Sequence, residues 1–115
     1  MQPVRLDLTQ QSNGDNVTVT HLDGKLVLET VHNFIATLRA DASPRLILDM
    51  SGVAFLDSAG VGALVQIFVH RKAQNQAFAL AALPKQGDAV MTVAGMRKLM
   101  PIFDTVEEAK AQQRR

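Results

Sequence analysis

Two short, continuously apolar runs constrain this chain more than anything else in it. "RLILDM" at residues 45–50 and "AFALAAL" at 77–83 are each of strand length, and the first is bounded by clear turn residues. A run that is apolar at every position, rather than at every second one, reads as a strand buried on both faces. Between the two runs, Val61, Leu64, Val65 and Phe68 fall at i, i+3, i+4 and i+7. That spacing predicts a helix from Ser58 to roughly residue 75. Strands joined by a helix predict a sheet with helices covering it.

The flanking sequence extends the pattern. Val4, Leu6 and Leu8 alternate with Arg5 and Asp7, as in a half-buried strand. The polar stretch "TQQSNGDN" at 9–16 contains Asn13-Gly14, a hairpin signal. Val17, Val19 and the return through His21-Leu22 then predict a second, antiparallel strand that Gly24 ends. Val31, Phe34, Ile35 and Leu38 predict an amphipathic helix over 30–40, stopped by Ala42-Ser43-Pro44. After the second apolar run, Pro84 opens a helix near 86–94, with Gly95 as its left-handed cap. Ile102-Phe103 reads as a short last strand. Asp104 and Glu107 have the spacing of a capping box opening a final helix through Ala111, before a frayed "QQRR" tail. The expected fold class is α/β, in the order β-β-α-β-α-β-α-β-α. It is a mixed sheet of four to five strands with about four helices, in one domain spanning residues 1–115. A chain of 115 residues buries about two thirds of its unfolded surface and needs no covalent staples.

Composition removes several function classes. There is no cysteine, hence no disulfide framework and no thiolate metal site. Twelve basic residues against 11 acidic ones give a net charge of +1, no case for a nucleic-acid field or a membrane patch. No apolar run approaches a membrane span and the N-terminus lacks a signal-peptide pattern, so a cytoplasmic protein is expected. Without Trp or Tyr, the stacking platforms of single-strand binders are largely missing.

The chemistry concentrates in "FLDSAGVGAL" at residues 55–64. An Asp-Ser pair at a strand-to-helix junction is a helix N-cap, worth about 1 kcal/mol. The cap does not explain Gly60 and Gly62, each of which costs a helix about 1 kcal/mol relative to alanine. Their missing side chains would leave the first turn flat, with the Ser58 hydroxyl presented at the positive end of a helix. The residues alone leave two readings open: a plain cap, or a phosphoacceptor and docking surface.

Enzymatic readings fare worse. A nucleophile elbow needs glycine two residues before the serine, and Leu56 stands there. His21, His32 and His70 show no acid partner and read as surface residues. "GVGAL" lacks the length and the lysine of a P-loop, and the third glycine of a dinucleotide fingerprint. A nucleotide contact through the helix N-terminus is only weakly signalled. Asp49, Asp57 and Asp88 are scattered, so no metal and no cofactor is expected. A receiver domain would carry an acidic pair after its first strand, where "TQQ" stands instead. Asp23 reads as a turn residue before Gly24, or as a neighbour of the Ser58 helix if the strands adjoin. Met91, Met96 and Met100 read as core.

"LILDMSGVAFLDSAGVGAL" closely resembles the core motif of the STAS domain, the fold of bacterial anti-sigma factor antagonists. That motif is an apolar strand ending in Asp or Asn, then x-x-x-V-x-F-x-D-S-x-G-x-G-x-L. Asp49, Val53, Phe55, Asp57, Ser58, Gly60, Gly62 and Leu64 match it. "LDGKL" at 22–26 is similar to the family's Gly-x-Leu turn, and "AGMRKLMPIFDTVEEA" at 94–109 to its tail. The resemblance implies a non-enzymatic binding module in a partner-switching pathway. Ser58 is then the residue phosphorylated by a partner that is both anti-sigma factor and serine kinase. The unphosphorylated form binds that partner and releases a sigma factor, and a PP2C-type phosphatase resets the switch. The implied partner surface comprises Asp23, Lys25, Glu29, Asp57, Ser58, Ala59, Gly60, Val61 and Gly62. Many members carry an acidic residue directly after Gly-x-Leu. Here Val27 stands there, with Glu29 two positions on, so either Glu29 substitutes or the partner differs. The alternative is a STAS module that senses or scaffolds, binding a nucleotide or other partner without Ser58 phosphorylation. The exposed N-terminal strand also offers an edge for weak self-pairing.

Overall fold

In a computed structural model that describes residues 4–12 and 16–113, a five-stranded sheet runs in the spatial order β1-β2-β3-β4-β5. The strands are β1 (Leu6–Ser12), β2 (Val17–Leu26), β3 (Arg45–Leu56), β4 (Ala77–Ala81) and β5 (Ile102–Phe103). β1 is antiparallel to β2 and every other pair is parallel. The helices are α1 (Val31–Arg39), α2 (Ser58–Ala73), α3 (Lys85–Val93) and α4 (Val106–Gln113), with a 3₁₀ turn at Met96–Lys98. The expected element order and the mixed sheet are both present. The Asn13-Gly14 turn, and the last two residues of the tail, lie outside the described residues.

The buried side chains alternate between the two sheet faces. Leu22, Leu46, Leu48, Met50 and Leu80 point to one face, where Phe34 and Leu38 of α1, Leu64 and Ile67 of α2 and Met91 of α3 cover them. Met96 and Met100 join that cluster, so all three methionines singled out from the sequence are core. Val17, Val19, Ile47, Ala79 and Ala81 point to the other face, where Ala109 of α4 packs. A sheet covered on both sides is what makes "RLILDM" and the start of "AFALAAL" apolar at nearly every position.

Four boundaries differ from expectation. β1 runs on through Thr9-Gln10-Gln11-Ser12, because an edge strand can pair its backbone with β2 while its polar side chains stay in water. β2 passes through Gly24 to Leu26. At Gly24 the backbone has φ +130° and a β-carbon would stand 2.2 Å from the Arg5 carbonyl oxygen, so the glycine lets the strand continue. β3 continues six residues past Met50, and two register shifts hide this from a period-two reading. Between His21 and Asp23 on β2 the partner strand spends one extra residue (Asp49 to Gly52), and between Gly24 and Lys25 another (Val53 to Phe55). Each bulge turns the strand over, leaving Val53 and Leu56 inward and Phe55 outward. At α4 the cap sits one residue later than expected: the Thr105 hydroxyl oxygen accepts from the Glu108 N–H at 3.1 Å.

Candidate functional site

The site is assembled where β3 ends and α2 begins. Asp57 is extended (φ −108°, ψ −176°) and caps α2: one carboxylate oxygen accepts from the Gly60 N–H at 2.8 Å. Its second oxygen accepts from the Leu28 N–H at 3.1 Å, so one side chain ties the helix to the loop 27–30 that follows β2. That loop has its own brace. The Thr30 hydroxyl oxygen accepts from the Val27 N–H at 3.1 Å and donates to the Lys25 carbonyl at 2.7 Å. On the other flank Gln86 of α3 grips the last residue of β3. Its side-chain carbonyl accepts from the Leu56 N–H, and its amide donates to the Leu56 carbonyl, each at 2.8 Å. β4 has already ended at the level of Asp49, so Gln86 makes the hydrogen bonds a further strand would have made.

Ser58, the first residue of α2, is exposed. It borders a groove of about 580 Å3 whose walls include Phe55, Val61, Ala89, Val90 and Val93. Phe55 is 45% exposed, Val93 90% and Leu28 70%, which is high for large apolar side chains. Apolar groups gathered around an exposed hydroxyl make a surface fit for a protein partner.

The two glycines of the first turn serve different sides. At Gly60 a β-carbon would lie 2.3 Å from the Leu26 carbonyl oxygen and 2.7 Å from Leu56 Cδ1. Gly60 is buried and faces the end of β2, so the expectation that it smooths the outer surface is corrected: it lets α2 seat on the sheet. At Gly62 a β-carbon would meet nothing within 4 Å, and the residue is exposed.

Of the residues expected at the surface, Asp57, Ser58, Ala59, Val61 and Gly62 share the first turn of α2 and its cap. Glu29 is exposed in the loop that Asp57 tethers, and Lys25, also exposed, lies level with Phe55. Val27 is 7% exposed, which leaves Glu29 as the acidic side chain of that loop at the surface. Asp23 is an exposed mid-strand residue opposite Asp7 and Gly52, not a turn residue, and stands back from the Ser58 turn along the sheet. Leu28, Val93 and Gln86 had no sequence signal of their own. Phe55 entered as a position of the STAS-like motif, and the bulge that turns it outward was not legible.

The reading of all three histidines as lacking an acid partner is also corrected. His21 Nδ1 lies 2.7 Å from Asp49 Oδ2, and the other Asp49 oxygen accepts from the Ser51 N–H at 3.0 Å. Burial would raise the Asp49 pKa, but the bonds from Ser51 and the charge and bond of His21 outweigh it and hold the carboxyl below its ordinary value. His21 and Asp49 line a recess with Asp104, Thr105, Glu107 and Lys110 around α4, on the sheet face opposite α2. They bring no base to Ser58. Among the described residues no group of three His, Asp or Glu side chains is placed to hold a metal ion, and no helix is long and apolar enough to cross a membrane.

The model of the STAS domain family matches residues 5–109. Among solved structures, an anti-sigma factor antagonist from Mycobacterium paratuberculosis is 22% identical over 99% of this chain and 98% of its own, with a TM-score of 0.84. The anti-sigma factor antagonist SpoIIAA, solved in its unphosphorylated form, is 20% identical over 94% and 96%, with a TM-score of 0.78. A sulfate transporter family protein from Wolinella succinogenes is 17% identical over 84% of each chain, with a TM-score of 0.74. At these identities the likeness to the solved structures is one of fold.

Proposed function

This chain belongs to the STAS-domain family, and from that premise we propose that it is an anti-sigma factor antagonist switched at Ser58. In its unphosphorylated form it docks an anti-sigma factor that is also a serine kinase, and the sigma factor held by that partner is released. The contact runs over Ser58, Ala59, Val61 and Gly62, with Glu29 and Lys25 beside them. The kinase transfers the γ-phosphoryl group of ATP to Ser58. The Ser58 Oγ–P bond forms, the bond from the γ-phosphorus to the bridging oxygen breaks, ADP leaves, and the hydroxyl proton passes to the kinase. A PP2C-type phosphatase hydrolyses the phosphoserine and resets the protein. The observation that carries this reading is the exposed Ser58 hydroxyl at the start of α2, bordered by exposed apolar side chains and an outward glycine.

The energetics favour an interface switch over a folding switch. A phosphate adds nearly two negative charges and three acceptor oxygens. At a helix N-terminus that charge is stabilised by the helix dipole, so α2 stays folded. A flat patch becomes a bulky dianion, and docking is lost through steric and charge conflict. The test is incubation of the purified protein with ATP and its host's soluble extract, followed by intact mass of wild type and Ser58→Ala. One phosphate on wild type and none on the variant is expected. Ser58→Asp should keep its melting temperature within about 3 °C while losing the partner. No added phosphate, together with a Ser58→Asp protein that binds every host partner as wild type does, would turn the reading to a scaffold that never uses the serine.

A further inference from the structure

We infer that Asp57 carries the charge state of Ser58 to Leu28, so that the loop 27–30 is the movable half of the docking surface. The inference rests on the switch proposed above and adds how it is read. Asp57 is the residue directly before Ser58, and its two oxygens serve two different elements: Gly60 of α2 at 2.8 Å and Leu28 of the loop at 3.1 Å. The Gly60 bond is short, part-buried and lies in the field of the helix N-terminus. The Leu28 bond is longer and exposed. A dianion on the neighbouring Ser58 repels the carboxylate and competes for the same helix N-terminal field, so the longer, solvent-facing bond gives way first. Glu29 carries like charge and is pushed the same way. With the tether gone, Leu28 has lost the bond to its own N–H, and the remaining bonds hold its neighbour Val27, whose N–H donates to the Thr30 hydroxyl and whose carbonyl accepts from the Thr30 and Val31 N–H groups at 2.9 and 3.0 Å. Leu28 is 70% exposed, and an apolar side chain that is exposed yet held in place by its backbone is a docking contact ready before the partner arrives. Releasing it removes that preorganisation, in addition to the clash at Ser58.

The test needs no partner. Phosphoserine is installed at position 58 by codon suppression, and amide hydrogen exchange is followed at Leu28, Val27 and Gly60. Exchange at Leu28 should quicken about five- to tenfold, the loss of one net hydrogen bond, with Val27 and Gly60 within about twofold of wild type. Unchanged Gly60 protection also shows that α2 has not simply unfolded. Asp57→Asn separates the tether from the cap, since the side-chain carbonyl of asparagine still accepts from Gly60 but its amide cannot accept from Leu28. That variant should free Leu28 with Ser58 unmodified while Gly60 keeps its wild-type protection. Leu28 exchange that is indifferent to phosphoserine at 58 overturns the relay, even if the partner is still lost and the switch itself stands. A Leu28 that loosens as expected supports the relay, even if no kinase for Ser58 exists and the proposed function falls.

Discussion

A methyl group added at position 60 would stand 2.3 Å from a backbone oxygen, and one added at position 62 would stand in open space. Intrinsic propensity favours alanine over glycine in a helix by about 1 kcal/mol at either site. At Gly60 the clash with Leu26 is with backbone, which cannot step aside, and the overpacking outweighs that gain. Gly60→Ala should therefore destabilise the protein by about 2–3 kcal/mol in urea unfolding. Gly62→Ala should stabilise it by about 0.5–1 kcal/mol and, on the proposed docking surface, weaken partner binding, because its methyl projects into open space there. If Gly62→Ala binds unchanged, the outward glycine is not part of the interface. A second buried oddity at this scale is Arg71, fully buried near the end of α2. Its guanidinium donates to the carbonyls of Ser43 at 2.7 Å and Ala77 at 2.9 Å. Burial lowers its pKa while the charge of Asp41 raises it. It pins the C-terminal end of α2 to the starts of β3 and β4, at the end of the helix opposite Ser58.

At the scale of elements, the site is a helix N-terminus aimed by a strand that has outrun its neighbours. β4 pairs with β3 only from Arg45 to Asp49, so the last stretch of β3 is held by β2 on one side and by Gln86 at its tip on the other. Gln86→Ala should cost about 1–3 kcal/mol, since it leaves both polar groups of Leu56 without their partner. It should also quicken amide exchange at Leu56 while leaving Leu48, in the paired part of β3, at its wild-type rate. Equal quickening at both would mean that Gln86 supports the whole sheet and not the tip. The same stretch shows what was legible beforehand. Asp57 as a cap, Ser58 as the exposed hydroxyl and the helix behind them follow from residue type and spacing. The bulges after Asp49 and Val53 do not, because a bulge changes which face a residue takes without any change in its chemistry, and with them went Phe55. Gln86 was equally hidden: a glutamine in the first turn of a helix says nothing about a strand end thirty residues earlier.

Across the whole molecule, the sheet loses its third partner at one level, where His21, Asp49 and Ala81 stand side by side on β2, β3 and β4. Up to that level the α4 face is apolar, through Val19, Ile47 and Ala79. At it, Ala81 keeps β4 apolar while β2 and β3 turn polar, and Asp49 bonds His21 across the strands and Ser51 along its own. Asp49 thus stands at the hinge between the fully paired sheet and the bulged strand that carries Ser58. Its carboxyl side chain is only 13% exposed, and its pKa lies below the ordinary 3.8. A depressed carboxylate stabilises the fold above the unfolded pKa, and that stability is lost as pH falls from there through the folded value. Asp104, Glu107 and Lys110 line the same recess in wild type and variant alike, so the comparison must be between variants and not between pH values alone. Asp49→Asn should lower the urea midpoint at about pH 7 relative to wild type, and the gap should narrow steadily below pH 3.8 as wild-type Asp49 becomes protonated. A gap that stays constant down to about pH 2 would show that shape and hydrogen bonding at position 49 hold the hinge without its charge.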